Sequence, residues 1–297
     1  MHFTLTARPP FNFQSVLQSH GWCQLQPFRL EADTGQLSYI LRLSSGQVVD
    51  LEISETPGGI QVQTTQLTFS EKAEVMAVLT WMFGLNLDFS NFYEAIRGKP
   101  PLAHVEKRAM GRVLRSPTFF EDVIRTILTT NTLWSATIRM TANLVGQFGD
   151  PLPFDSERKA FPTPQRLASA TEAQLRAEIR LGYRAPYILD LAQRVASSGF
   201  DLELFKTSSL PTLELRNQLL KILGVGPYAA ANLLMILGRC DFIPIDTWAL
   251  KMVSQEWHGG QHVTPADVQA AFEKWGEWQG LVFWFWDWAY LRKAKPD

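Results

Sequence analysis

The stretch that decides the fold is Leu220-Lys221-Ile222-Leu223-Gly224-Val225-Gly226-Pro227-Tyr228-Ala229-Ala230-Ala231-Asn232-Leu233-Leu234. It predicts two helices joined by a glycine turn, because Pro227 suits the first position of a helix and glycines permit the positive φ angles of tight turns. Gly224 and Gly226 also leave backbone N–H groups uncovered at a helix N-terminus, a geometry that can hold a phosphate. Taken alone, a plain helical hairpin without a ligand explains the stretch equally well.

An acidic residue follows this hairpin. The segment Phe242-Ile243-Pro244-Ile245-Asp246-Thr247-Trp248 carries an apolar run, a proline and then Asp246 at the start of the next predicted helix. Asp at such a position is commonly an N-cap, whose side chain accepts a hydrogen bond from the helix backbone. A helix N-terminus also favours an ionised carboxylate, which is a group suited to catalysis. Both interpretations stay open for Asp246 on its own.

The N-terminal part of the chain predicts strands. Apolar and polar side chains alternate over 36–43, 47–53 and 59–63, and Ser-Ser-Gly and Pro-Gly-Gly turn signals separate these runs. Such spacing indicates an antiparallel meander with one buried face. We expect a short helix over 13–20 beside the meander.

From about Ser70 onward the apolar residues follow a helical period. Glycines and prolines divide this part into helices, of which the last is predicted over 281–293. The expected fold class is therefore mainly α, with an all-helical core over 70–297 and a small α+β domain carrying an antiparallel sheet over 1–69. At 297 residues the chain is long enough for two such domains.

Composition limits the classes of function. The aromatic residues make up 12% of the chain, which indicates a folded protein. The formal net charge is −1, so the chain as a whole lacks the basic excess that is typical of proteins that bind nucleic acids. The basic surplus is local, since residues 101–239 contain 17 Lys and Arg against 12 Asp and Glu. Phosphate contacts or ordinary solvated helix faces explain that surplus about equally well.

The cysteines and the apolar runs exclude several sites. Cys23 and Cys240 are too few for a structural zinc site or a four-cysteine iron–sulfur cluster, so we expect no zinc and no iron–sulfur cluster. With no targeting segment recognisable, the expected location is cytoplasmic, and nucleoid-associated in a bacterium. The longest apolar run, residues 280–291, is shorter than a membrane span, so no membrane association is expected.

The hairpin and the acid at this spacing resemble the helix-hairpin-helix-Gly/Pro-Asp superfamily of DNA base-excision glycosylases. In that family a Leu-x-Gly-Val-Gly hairpin, here within 212–237, precedes a Gly/Pro-rich loop with an essential Asp, here 241–247. Phe161-Pro162-Thr163-Pro164-Gln165-Arg166-Leu167 is similar to a segment of the bacterial 3-methyladenine DNA glycosylase II group. Leu181-Gly182-Tyr183-Arg184-Ala185 looks more like the 8-oxoguanine glycosylase branch. The resemblance extends over nearly the whole chain.

The resemblance implies a chemistry for Asp246. Cleavage of an N-glycosidic bond develops positive charge on the deoxyribose, and a carboxylate beside C1′ stabilises that charge and orients the attacking water. The target base must first leave the stack of the duplex. Asp246 is thus predicted to be the catalytic carboxylate of a DNA glycosylase of base excision repair. Its partner would be double-stranded DNA with damaged bases, and the protein would act as a monomer.

The resemblance also gives the hairpin turn two roles. Gly224, Val225 and Gly226 would grip one phosphate beside the lesion without reading sequence. The backbone carbonyls of Ile222, Leu223 and Val225 would coordinate a monovalent cation, sodium or potassium. No other cofactor is implied.

Asn131 lies where the family carries its wedge, a side chain that fills the gap left by the extruded base. Taken alone, Asn131 is also a suitable N-cap for the helix that is predicted to start near Leu133. The resemblance favours the wedge. Lys221 and Lys251 match no catalytic position of the family, and we interpret them as surface or phosphate-contacting residues.

Tyr228 distinguishes two mechanisms within the family. Bifunctional members carry a Lys two residues after the second hairpin glycine, and its amine attacks the sugar and then allows the strand to be nicked. A phenol cannot form the Schiff base that this mechanism needs. We therefore predict a monofunctional glycosylase without lyase activity, which leaves an abasic site.

The base pocket is predicted from the family positions of four residues, Tyr228, Trp248, Phe283 and Asp287. The three aromatic rings suit an electron-poor alkylated purine through stacking and cation–π attraction. Asp287 departs from the family, which has an aromatic side chain there, and it could bond a base edge or pair with an Arg. The alternative substrate is 8-oxoguanine or another damaged purine. The alternative of another class is a damage- or structure-specific DNA-binding protein without catalysis.

Overall fold

The computed structural model describes residues 1–197 and 199–288, and its elements are given for these residues. The strands are β1 His2–Thr6, β2 Phe28–Leu30, β3 Leu37–Arg42, β4 Val48–Thr56, β5 Gly59–Gln63, β6 Pro151–Leu152 and β7 Asp155–Lys159. The α-helices are α1 Phe13–Leu17, α2 Phe69–Phe83, α3 Ser90–Ile96, α4 Ala103–Lys107, α5 Phe119–Thr129, α6 Trp134–Phe148, α7 Pro164–Ala168, α8 Glu172–Ala177, α9 Ala185–Ala196, α10 Thr212–Leu219, α11 Pro227–Ile236, α12 Thr247–Trp257, α13 Pro265–Phe272 and α14 Gln279–Phe285. The mainly α fold class with an N-terminal antiparallel sheet is confirmed.

The chain forms two compact units. The first contains Met1–Leu87, Arg112–Ser208 and Ile222–Gly224, and the second contains Asp88–Gly111, Ser209–Lys221 and Val225–Asp297. The division differs from the boundary predicted after residue 69, since the sheet shares its unit with α1, α2 and α5–α9. The second unit holds α3, α4 and α10–α14. Among the described residues, none of the helices has the length and apolar character of a membrane-spanning segment.

The sheet of the first unit has five antiparallel strands in the order β1-β5-β4-β3-β2. The predicted meander is confirmed as β3, β4 and β5. The edge strands β1 and β2 were not predicted, because runs of five and three residues are too short to show alternation. The short helix predicted over 13–20 is α1, and the Asn12 side chain caps it by accepting from the Ser15 amide at 2.8 Å.

A small β-hairpin interrupts the helical part of the first unit. Strands β6 and β7 pair in an antiparallel manner within a stretch where only helical periodicity was predicted. Prolines at 151 and 153 prevent a helix there. Ile40, Val48 and Ala160 form a buried apolar cluster on which Leu152 packs, so tertiary contacts with the sheet stabilise this hairpin.

The predicted helices after Pro117 are present, with ends that shift by a few residues, and the last one is shorter than predicted. Helix α14 ends at Phe285, and Trp286 has φ −60° and ψ 130°, which is not helical. The Asp287 amide donates to the Pro101 carbonyl at 3.0 Å instead of continuing the helix. The prediction of a helix through residue 288 is therefore wrong, and residues 289–293 lie outside the described residues.

A buried ion pair fixes α5 against the sheet. Arg125 donates through Nε to the Glu121 carboxylate at 3.0 Å, and the Tyr39 hydroxyl of β3 donates to the same carboxylate at 2.7 Å. Arg125 also donates to the carbonyls of Leu25 and Gln26 at 3.2 and 2.9 Å. Burial raises the pKa of the Glu121 carboxyl and of the Tyr39 hydroxyl. Removal of one partner would leave the other charge buried without compensation.

Asp122, the next residue on α5, is buried and has no cationic hydrogen-bond partner among the described residues. Its Oδ1 accepts from Trp22 Nε1 at 2.8 Å and from the Ser116 amide at 3.0 Å. Its Oδ2 has no hydrogen-bond partner among the described residues. Burial raises the pKa of this carboxyl from 3.8 to about 7. The folded protein therefore holds this group as a neutral acid over a pH range in which the unfolded chain ionises it.

This difference predicts a pH-dependent contribution to stability. Because Asp122 binds its proton more tightly when folded, the stability that it contributes is present below pH 4 and is lost as pH rises to about 7. Asp122→Asn keeps the Oδ1 acceptor but cannot ionise. Urea unfolding at pH 5 and pH 8 should show that the free energy of unfolding falls by about 2 to 3 kcal/mol more in the wild type than in the variant. Equal pH dependence of the two proteins would contradict the buried neutral carboxyl.

Candidate active site

The glycine hairpin has the predicted helices and one conformational difference. Helices α10 and α11 pack on each other, and Pro227 is the first residue of α11. Gly224 has the expected positive φ, 87°. Gly226 does not, since its φ is −90° and its ψ −177°, so the prediction of a positive φ there is wrong. The tight turn needs only one left-handed residue.

The two glycines differ in what surrounds them. A Cβ atom at Gly224 would lie 2.6 Å from Cδ2 of Tyr187 in the first unit, a distance that no side chain tolerates. A Cβ atom at Gly226 would meet nothing within 4 Å. Gly226 is the N-cap of α11, and no side chain caps that helix. Backbone N–H groups of its first turn are therefore open to an anion.

Asp246 is the N-cap of α12 in the second unit. Its Oδ1 accepts a hydrogen bond from the Ala249 amide at 2.8 Å, so the capping prediction is confirmed. The side chain is nevertheless exposed. A capping carboxylate that remains open to a ligand can serve both the helix and a reaction.

A cavity of about 220 Å³ opens beside Asp246 within the second unit. The residues that line it are Tyr228, Pro244, Asp246, Trp248, Phe283 and Trp284. The structure thus brings the predicted carboxylate together with three of the four predicted pocket residues. Pro244 and Trp284 were not predicted, although both lie in the sequence segments that contain the other lining residues.

The aromatic walls of this cavity are held by edge-to-face contacts. The Trp248 ring lies 6.1 Å from Phe283 and 5.5 Å from Trp288, with interplanar angles of 84° and 78°. Phe283 packs in turn on Phe272 at 5.5 Å. Trp248 is 48% exposed whereas Phe283 is buried, so Trp248 presents the more accessible ring. Such a wall is closely packed and rich in π electrons.

Tyr228 remains a neutral phenol in this site. Burial raises the pKa of its hydroxyl, and the negative charge of Asp246 raises it further. Tyr228 and Asp246 both line the cavity. The group can donate a hydrogen bond but offers no amine for covalent attack.

Asp287 differs from the other predicted pocket residues. It is not among the residues that line the cavity, and it lies in the non-helical segment after α14. The family comparison assumed a continuous helix that would turn Asp287 toward the pocket one turn after Phe283. The end of α14 at Phe285 removes that geometric basis.

Asn131 belongs to the turn between α5 and α6 of the first unit. It is exposed and has φ 47°, a left-handed conformation that Asn tolerates better than most residues. The N-cap of α6 is Leu133, without a side-chain hydrogen bond, so the alternative interpretation of Asn131 as a cap is wrong. Leu133 is itself 78% exposed. Asn131 is thus an exposed turn residue whose side chain does not cap α6.

Within the described residues, no group of three or more His, Cys, Asp and Glu side chains is arranged to hold a metal ion. Cys23 and Cys240 are both buried and not disulfide-bonded.

Comparison with known proteins supplies the family. The model of the HhH-GPD superfamily base excision DNA repair proteins matches residues 124–277, which include the hairpin and Asp246. A DNA-3-methyladenine glycosylase from Bacillus subtilis (strain 168) is 24% identical over 225 residues, 73% of this chain and 72% of that protein.

Two solved structures share the fold. The 3-methyladenine DNA-glycosylase from Archaeoglobus fulgidus has a TM-score of 0.76 at 20% identity, with complete coverage of both chains. The Clostridium acetobutylicum 8-oxoguanine glycosylase/lyase, solved with double-stranded DNA that has cytosine opposite 8-oxoG, has a TM-score of 0.75 at 21% identity and covers 99% of this chain and 98% of its own. At such identities the likeness shows the fold alone. Together with the family match over more than half of its length, it establishes that this chain belongs to the HhH-GPD superfamily of base excision DNA repair proteins.

Proposed function

We propose that this protein is a monofunctional DNA glycosylase that extrudes a damaged base, preferentially an alkylated purine, and hydrolyses its N-glycosidic bond. The observation that carries the proposal is the exposed Asp246 carboxylate at an aromatic cavity. Asp246 and the glycine hairpin both lie within the segment that matches the family model. The similarity to the Bacillus subtilis DNA-3-methyladenine glycosylase supports the substrate class. The product is DNA with an abasic site.

Asp246 acts as the catalytic carboxylate. Its Oδ1 is engaged by the Ala249 amide, which fixes the orientation of the group and leaves Oδ2 to face the sugar. As the bond to the base breaks, positive charge develops at C1′ and the anionic carboxylate stabilises it. The same oxygen orients the water that attacks C1′ and accepts its proton. The departing base takes the bonding electron pair.

The aromatic walls account for the preference for alkylated purines. Alkylation at a ring nitrogen gives the purine a positive charge, and a cation is attracted to the faces of Trp and Tyr rings. Trp248 and Tyr228 provide such faces on the cavity. A neutral base such as 8-oxoguanine gains less from these walls. An 8-oxoguanine glycosylase is the second candidate, and the two candidates differ in which damaged base the protein releases from a duplex.

The hairpin turn holds one phosphate of the duplex. Gly226 leaves the N-terminus of α11 open, so backbone amides of the first turn donate to the phosphate without reading the bases. None of the carbonyls of Ile222, Leu223 and Val225 accepts a hydrogen bond from another described residue. Free carbonyl oxygens of this kind suit a monovalent cation, which would add positive charge beside the phosphate. Asn131 fills the gap that the extruded base leaves.

The catalytic assignment predicts the behaviour of Asp246→Asn. The substrates are duplexes that each carry one lesion: a stable 3-methyladenine analogue, 1,N6-ethenoadenine, hypoxanthine, 8-oxoguanine or uracil. The wild-type protein should release an alkylated or related purine from these duplexes. The variant should bind the same duplex with similar affinity but release the base at least about 100-fold more slowly, because the sugar cation is no longer stabilised. Free base is measured by mass spectrometry under single-turnover conditions.

Three outcomes would count against this account. Retained activity of Asp246→Asn would exclude it as the catalytic carboxylate. Release of 8-oxoguanine alone would favour the second candidate substrate. Specific binding without release of any base by the wild type would favour a DNA-binding protein without catalysis.

The position of Tyr228 predicts the fate of the DNA strand. With wild type the strand should break only after alkali treatment, and borohydride should trap no covalent complex with abasic DNA, since a phenol forms no Schiff base. Tyr228→Lys places an amine on the cavity and should yield a trapped complex. Strand nicking by the wild type without alkali would contradict the monofunctional assignment.

The open surroundings of Gly226 predict a binding defect without a folding defect. Gly226→Val introduces side-chain atoms where no atom lies within 4 Å of the Cβ position, at a φ that Val adopts freely. The valine should obstruct the phosphate and weaken binding about tenfold to damaged and undamaged duplexes alike. Gly146→Val is the matched control, since Gly146 on α6 also has open space at its Cβ position. Fluorescence anisotropy measures both, and a loss confined to one lesion would contradict a phosphate-binding role.

A further inference from the structure

A tyrosine lies against Gly224, the glycine of the hairpin turn that belongs to the first unit. The Cδ2, Cγ and Cβ atoms of Tyr187 are 2.6, 3.0 and 3.2 Å from the position that a Cβ of Gly224 would take. The ring therefore packs directly on the backbone of the turn, and glycine is needed there for space as well as for its φ of 87°.

A second tyrosine and an arginine hold the other turn that carries a proposed DNA contact. The Tyr183 hydroxyl donates to the Thr130 carbonyl at 3.3 Å, and Arg184 donates through Nη2 to the same oxygen. The Arg184 guanidinium is buried and also lies over the Tyr183 ring, 4.5 Å from its centroid. Thr130 immediately precedes Asn131, so these bonds fix the turn from which Asn131 projects.

The two tyrosines contact each other. Their ring centroids are 6.0 Å apart with an interplanar angle of 73°, an edge-to-face arrangement. A continuous series of contacts thus runs from the Gly224 backbone through Tyr187 and Tyr183 to the Thr130 carbonyl. All four residues belong to the first unit.

We propose that Tyr187 is a positioning residue that holds the Gly224 backbone and the turn at Thr130 and Asn131 at a fixed distance within the first unit, so that a phosphate bound beside Gly224 places Asn131 in the stack. This inference rests on the proposed function. A wedge must enter the duplex at a fixed distance from the gripped phosphate, and a displacement of about 1 Å is costly in such a geometry. In this role Tyr187 acts through the two turns and needs no contact with the base or the sugar.

The ring of Tyr187, and not its hydroxyl, carries this role. Among the described residues its hydroxyl has no hydrogen-bond partner, whereas the ring makes both the Gly224 and the Tyr183 contacts. Tyr187→Phe should therefore behave as the wild type. Tyr187→Ala and Tyr187→Leu should both lose the fixed distance between the Gly224 backbone and the turn at Asn131. Two such variants are used so that a folding defect in one of them does not decide the test. Gln193→Ala, an exposed substitution on the same helix α9, is the matched control.

The test compares binding with unstacking in the full-length protein. The probe is a duplex that carries a tetrahydrofuran abasic analogue next to 2-aminopurine, whose fluorescence rises when it unstacks. Tyr187→Ala and Tyr187→Leu should bind within about threefold of the wild-type affinity, while the fluorescence rise at saturating protein falls by about half or more. Tyr187→Phe and Gln193→Ala should keep the full rise. Thermal unfolding of each variant identifies any that is not folded.

Two results would overturn the inference: a full fluorescence rise with folded Tyr187→Ala and Tyr187→Leu, or an equal loss in Gln193→Ala. Excision of an alkylated base by the same proteins is followed in parallel. Failure of the wild type to release any base would contradict the proposed function but would leave the fluorescence comparison decisive for Tyr187. Conversely, normal excision with no effect of the Tyr187 variants would remove only the positioning role.

Discussion

The hydrogen bond from the Ala249 amide to the Asp246 carboxylate is the constraint on which the site depends. It starts helix α12 and, by the same contact, fixes the direction of the acid at the edge of an aromatic cavity. A carboxylate on a free loop would sample many orientations, whereas a capping carboxylate has one oxygen held and the other available. Under the proposed function, the hydrogen bond that caps the helix therefore also orients the catalytic group.

The aromatic residues give that carboxylate a defined environment. Edge-to-face contacts connect Trp248 and Phe283 to a larger group of rings, which includes Phe272, Trp286 and Trp288. Most of this group is ordinary core, and Trp248 is the ring that stays half-exposed at the cavity. Such a wall attracts a cationic base through its π faces. The near-neutral charge of the chain is no obstacle to DNA binding, because backbone amides of the hairpin need no side-chain charge to hold a phosphate.

Local signals in the sequence predicted much of the site. Pro227 at the start of α11, Gly224 in the turn and Asp246 as a helix cap depend on their nearest neighbours in the chain, and all three have the predicted geometry. Features set by distant residues were missed. The β6–β7 hairpin depends on packing against the sheet, and the space at Gly224 depends on Tyr187, 37 positions earlier in the sequence. Neither has a signal in the local pattern.

The same distinction explains the errors. Helical periodicity continues past Phe285, but α14 ends there while the Asp287 amide bonds to the Pro101 carbonyl, a partner that no local pattern specifies. Asp287 was consequently expected on a helical face toward the cavity that it does not line. For Gly226, the positive φ was inferred from residue type alone. Its open surroundings, and not its φ, are what suit it to a ligand.

The most direct test of the central claim measures the affinity for a charged analogue of the sugar cation. Duplexes with a cationic pyrrolidine or with a neutral tetrahydrofuran at the abasic position differ in the charge near C1′. If Asp246 stabilises that charge, the wild type should bind the pyrrolidine duplex at least about 100-fold more tightly, and Asp246→Asn should lose most of this preference. Equal affinity of the wild type for both duplexes, or an unchanged preference in Asp246→Asn, would contradict the assignment of Asp246 as the catalytic carboxylate.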